Sequence, residues 1–170
     1  YTASHAVHSN WGYYTIYKFN WDEKMIGLSL GAIGLLVGLV QGLLIRWVNP
    51  RLGNEKSVYV GMALYTFGML LFALATESWM LFVFLIPYCL GGIAGPAMQS
   101  LISGQVPDNE QGEIQGTLSS LMSASAIVGP PMMSTVFYYF THKEAPFQFA
   151  GAHFVLGAFL SALAGFIGMR

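Results

Sequence analysis

Long apolar stretches separated by short polar clusters set the pattern of this chain. Five stretches, 26–45, 58–75, 79–102, 117–140 and 147–168, reach or approach the ~20 apolar residues that carry a helix across a bilayer core. A sixth, 1–17, is more polar and is expected to be the incomplete remainder of a further span. None holds Asp, Glu, Lys or Arg in its interior. The connectors are short, so consecutive helices should run antiparallel as neighbours. The pattern predicts an all-α integral membrane bundle of six helices, the first of them incomplete.

The connectors carry the local signals. Asp22 and Glu23 precede the 26–45 stretch and complement the positive end of its helix dipole. Pro50 and Gly53 are expected to break the chain within the connector from Arg46 to Ser57. Pro87 and Pro96, with Gly91, Gly92 and Gly95, should bend the 79–102 helix, and Gly129, Pro130 and Pro131 mark a second hinge. Arg46, Arg51, Lys56 and Arg170 fall on one side of the bundle, and Lys18, Lys24 and Lys143 on the other. The densest basic cluster predicts that its side faces the cytoplasm.

Composition narrows the class. Hydrophobic residues make up 55% of the 170, and charged residues only 9%, against about a quarter in soluble domains. A net charge of −1 gives no electrostatic reason to expect nucleic acid. The single cysteine, Cys89, lies in an apolar run and excludes an internal disulfide. No nucleophile elbow, phosphate loop or paired-carboxylate motif is present, so an enzyme is not expected, nor a cofactor. The chain opens on Tyr1 without a signal peptide and is expected to be a piece of something longer.

Candidate functional positions follow from spacing. Gly27, Gly31, Gly34, Gly38 and Gly42 fall within about 80° of helical arc, leaving one face as bare backbone. Such a face is either a static packing seam or a surface along which helices rock. Gln41 beside it is either interhelical glue or part of a polar cavity. Gly91, Gly95 and Gln99 share another face. Ser119, Ser120, Ser123 and Ser125 either bond to their own helix backbone or line a cavity. His5 and His8 share a face and could relay protons or simply bond a neighbour. Two histidines three apart with no nearby acid make no metal site.

Gln111-Gly112-Glu113-Ile114-Gln115-Gly116-Thr117-Leu118, followed by Ile127-Val128-Gly129-Pro130, resembles the eleventh helix of the tetracycline-resistance branch of the major facilitator superfamily. The stretch from Phe19 to Asp22 with Ile26 to Leu30 is similar to that family's helix seven–eight junction, and Arg51-Leu52-Gly53 to its helix eight–nine loop. Gly91-Gly92-Ile93 through Pro96, Ala97 and Gln99 is similar to its helix ten. The resemblance implies helices seven to twelve, the C-terminal six-helix half of a proton-coupled antiporter. It implies small-molecule drugs and protons as ligands, the bacterial inner membrane as location, and an N-terminal half and the lipid bilayer as partners. It also places His5, Gln41 and Gln99 at glutamine positions of the family and Tyr65 where members often carry an aspartate. With Ser120 and Ser123 these are the substrate-binding candidates; His5 and His8 are the proton-coupling candidates, and Pro96, Gly129 and Pro130 the hinge positions. The departure at Tyr65 leaves the substrate open: a drug, or another solute such as a sugar or metabolite. A non-transporting half-bundle that pairs with itself is the remaining alternative.

Overall fold

The computed structural model describes residues 1–142, 145 and 148–168, with Asp108 described by its backbone alone. Lys143, Arg170 and the start of the last apolar stretch at Phe147 lie outside the described residues. The fold is all-helical. Its helices are α1 (His5–Phe19), α2 (Glu23–Leu39), α3 (Ile45–Leu52), α4 (Asn54–Leu74), α5 (Ser78–Leu90), α6 (Ala94–Gly104), α7 (Gln111–Thr141) and α8 (Ala152–Ile167).

Glu23–Leu52, Asn54–Leu74 and Ser78–Gly104 are each long and apolar enough to cross a membrane. The helix α8 is apolar but shorter, at 16 residues. The helix α7 has 31 residues, ample length at ~1.5 Å per residue, but serine, threonine and glycine dilute its apolar character.

Local chemistry explains most helix boundaries. Asp22 caps α2 by accepting a hydrogen bond from the Met25 amide at 2.8 Å. Asn20, at φ 51° in the left-handed region, ends α1. The expected break at Pro50 does not occur: α2 continues through a π-helical turn, Val40–Leu44, into α3, which contains Pro50. Proline removes one backbone bond to the preceding turn without ending the helix here, and the break falls instead at Gly53, whose φ of 78° suits glycine. The bend expected between Pro87 and Pro96 appears as a 3-10 turn, Gly91–Ile93, joining α5 to α6. At Pro130 and Pro131, by contrast, α7 runs unbroken.

The core lies between α1, α4, α5 and α8. Ala6, Trp11 and Tyr14 meet Phe72, Leu81, Leu85, Tyr88 and Phe154 there. Edge-to-face pairs such as Trp11–Phe72 (5.2 Å) and Tyr14–Phe154 (4.8 Å) build its aromatic half. Polar aromatic atoms are satisfied inside it. The Tyr14 hydroxyl donates to the Phe72 carbonyl at 2.6 Å, and the Trp11 indole donates to Ser29 Oγ at 2.8 Å. Trp21 donates likewise to Ser78. These bonds gather the end of α1, the start of α2 and the α4–α5 turn at one end of the bundle. At the opposite end Asn54 Nδ2 donates to Ser100 Oγ at 2.9 Å, joining α4 to α6.

Candidate functional site

The helix α2 touches the bundle along one edge only. Ser29 is buried on that edge, and Met25, Ala32, Ile33 and Leu36 pack partly against the core. At about 100° per residue, Ser29 lies roughly 200° round the helix from Gly27. The glycine face therefore points away from the bundle. Among the described residues, and leaving aside the helix's own backbone, no atom lies within 4 Å of where a Cβ would stand at Gly27, Gly31, Gly34, Gly38 or Gly42. Gln41 is exposed on the same side, inside the π-helical turn. Such turns insert one residue into a helix and recur at functional sites.

The first half of α7 is open in the same way. Gly116, Thr117, Ser119, Ser120 and Ser123 are all exposed. Ser120 Oγ donates to the Gly116 carbonyl and Ser123 Oγ to the Ser119 carbonyl, each at 2.9 Å, so both serines bond to their own helix backbone. Their hydroxyl donors are thereby occupied, and their oxygens remain available as acceptors. At Gly129 the character of α7 changes. Gly129 is buried, and the His5 ring lies where its side chain would be. One turn further, Ser134 Oγ donates to Asn10 Oδ1 at 2.9 Å.

The sequence candidates divide between these surroundings. Gln99 Nε2 donates to Gln115 Oε1 at 3.0 Å, and Gln115 Nε2 donates to Ser103 Oγ at 3.2 Å. Gln111 Nε2 donates to the Ser103 and Val106 carbonyls at 2.7 and 2.9 Å, closing the α6–α7 connection. The two glutamines of the helix-eleven element thus form a clamp between α6 and α7. Their spacing of four, matched by Gln99 and Ser103 on the preceding helix, was the available signal. Tyr65 stacks on Tyr88 at 4.7 Å, with the hydroxyls 3.1 Å apart. The Tyr65 hydroxyl also comes near Ser4, which brings Tyr65 to the start of α1 beside His5. His8 is exposed and pairs with the Ser4 carbonyl at 2.8 Å. His5 and Tyr65 therefore share a neighbourhood, whereas Gln41 and the α7 serines stand on separate open faces.

Two buried polar residues carried no sequence signal. Asn10 and His153 are wholly buried, His153 against the rings of Tyr14, Phe137 and Phe154. A histidine at the start of an apolar stretch is indistinguishable in sequence from an interfacial one. Among the described residues no group of three or more His, Cys, Asp or Glu could hold a metal.

The Major Facilitator Superfamily profile matches residues 7–169 of the chain. The class C tetracycline resistance protein of Escherichia coli is 38% identical over 120 residues, which cover 71% of this chain and 30% of that protein. The class G protein of Vibrio anguillarum is also 38% identical, over the same shares. The class E protein of Escherichia coli is 38% identical over 75% of this chain and 31% of its own length. The chain thus spans about three tenths of the relatives it matches. No solved structure matches it.

Proposed function

The chain belongs to the Major Facilitator Superfamily, and from that premise we propose that it forms the C-terminal half, helices seven to twelve, of a proton-coupled drug exporter. Membership supports reading it as part of a membrane transporter and not as an enzyme. The proposed cargo is a tetracycline-like or related drug, and the proposed location is the bacterial inner membrane.

The observation that carries this reading is the pair of open faces on α2 and the first half of α7. One is bare glycine backbone and the other is hydroxyl- and glycine-rich, and among the described residues neither has a partner. Apolar side chains would suit lipid better than either. Small residues let backbones meet closely, and such contacts can rock with little side-chain rearrangement. An N-terminal half seated on these faces would complete a central path, with α2 and α7 as its walls. Gln41 and Gln99 then contribute amide groups near one mouth, and Ser120 and Ser123 contribute acceptor oxygens from α7. Tyr65 and His5 stand deeper, at the start of α1.

Proton coupling is assigned to His5 and His8, because the apolar spans of this chain hold no interior acid. Tyr65 replaces the family's aspartate with a neutral hydroxyl already engaged by Tyr88, so carboxylates of the other half would share that task. The test is transport by the full-length protein in everted membrane vesicles. Tetracycline should accumulate when a proton gradient is imposed and leak out when a protonophore collapses it. Gradient-independent movement of a sugar, with no drug accumulation, would replace this reading with that of a solute carrier.

A further inference from the structure

The surface of the bundle away from α2 carries a second feature, independent of the solute that is transported. A groove of about 580 Å³ runs between α4 and α8. Tyr59, Ala63, Thr66 and Leu70 form one wall, and Gly165 and Phe166 belong to the other. Small residues on α8 shape its floor: Ser161, Ala162 and Gly165 line it, and a Cβ at Gly165 would just reach van der Waals contact with Met62 at 3.9 Å. From Tyr59 to Leu70 the groove covers eleven residue steps, roughly 16 Å. That is about half of the ~30 Å hydrocarbon core, the depth of one leaflet.

One end of the groove is polar. The Tyr59 hydroxyl donates to the Gly168 carbonyl at 2.8 Å, pinning the end of α8 to the start of α4. Its oxygen thereby lies where lipid headgroups begin. Lys56 stands three residues earlier, and 56, 59, 63, 66 and 70 follow the spacing of a single helix face. Lys56 is exposed, and its long stem can lie along the groove while the ammonium reaches the interface. Arg51, also exposed, adds positive charge just before α4 begins.

We propose that the α4–α8 groove binds one acyl chain of an anionic phospholipid, with the headgroup phosphate held by the Lys56 ammonium. The apolar walls select an acyl chain, the one-leaflet length fixes its depth, and the basic end selects negative charge. A zwitterionic lipid would fill the walls equally well, but its own ammonium already balances its phosphate and weakens the pull on Lys56.

Native mass spectrometry of the purified full-length protein tests this, using phosphatidylglycerol and phosphatidylcholine with identical acyl chains. The unaltered protein should retain one phosphatidylglycerol per chain, about tenfold more than phosphatidylcholine. Lys56→Gln should reduce phosphatidylglycerol retention to the phosphatidylcholine level, while Lys56→Arg should preserve the preference. Ala63→Trp should fill the groove and remove both lipids. Lys56 is exposed, so the glutamine variant reports on the site even if the tryptophan variant folds poorly. Equal retention of the two lipids by unaltered protein would overturn the proposal. So would a preference that survives Lys56→Gln, or a two-chain species that excludes lipid from the groove.

Discussion

Two sets of glycines divide this molecule. In α2, Gly27 to Gly42 repeat every three or four residues, yet among the described residues no atom outside the helix's own backbone lies within 4 Å of any Cβ that could be added. In α4, Gly61 and Gly68 are seven residues apart and look unremarkable in sequence. A Cβ at Gly61 would come within 2.7 Å of the Ala94 backbone nitrogen, and one at Gly68 within 2.7 Å of the Tyr88 Cα. Gly91 returns the contact, facing the Tyr65 backbone at 2.7 Å. The quiet glycines hold α4 against α5 and α6 at backbone distance, and the conspicuous ones hold nothing among the described residues. A periodic glycine face therefore marks where a helix can be approached closely, without saying from which side.

Substitutions can set the two faces against each other. The largest effect is expected at the closed seam. Gly91→Val would drive a side chain into the backbone of α4, which cannot yield as a side chain can. It should destabilise the full-length protein by about 3 kcal/mol and lower its yield, read by thermal unfolding in detergent. Gly34→Leu should lower stability by less, about 1 kcal/mol, because it meets only the other half across a seam that can part and leaves the packing of this region intact. Transport, however, should fall at least about tenfold, since added bulk would block close approach across α2. If Gly34→Leu instead lowered stability as much as Gly91→Val, the distinction between the faces would be lost.

Contacts closed by side chains should fall between these extremes. Gln115→Leu removes two hydrogen bonds and strands Gln99 at the α6–α7 clamp, costing about 1–2 kcal/mol. Adding Gln99→Leu should recover part of that loss, because the stranded partner is removed too; a double-mutant cycle in unfolding measures it. A comparable effect is expected for Tyr65→Phe. It keeps the stacked rings but leaves the buried Tyr88 hydroxyl without its partner, so it should cost about 1 kcal/mol in stability.

Much of the architecture was legible because a bilayer restricts a chain to few solutions. Long apolar runs without charge had to become helices, and short connectors had to fold them back on one another. The Asp22 cap was readable from its position before an apolar run. Pro50 misled, because a proline costs one backbone bond and a clash one turn back without having to end a helix, and here the chain stays helical to Leu52. Gly129 and Pro130 read as a hinge, yet α7 is continuous there and Gly129 instead admits the His5 ring. The serines of α7 kept both of their sequence readings open until the backbone bonds of Ser120 and Ser123 appeared. The Gln99–Gln115 clamp and buried His153 depend on which helices meet, and helix periodicity alone does not carry that information.

The central claim is that the open glycine face of α2 receives the rest of one transporter, and cysteine cross-linking in the full-length protein tests it most directly. A cysteine replaces Gly34, and single cysteines are walked along the helices outside this region. Cys89 is buried and free, so it adds little background. The account predicts disulfides within one polypeptide, concentrated on one face of one helix. Disulfides only between two copies of the chain, or free labelling of the Gly34→Cys variant by a lipid-soluble maleimide, would contradict it.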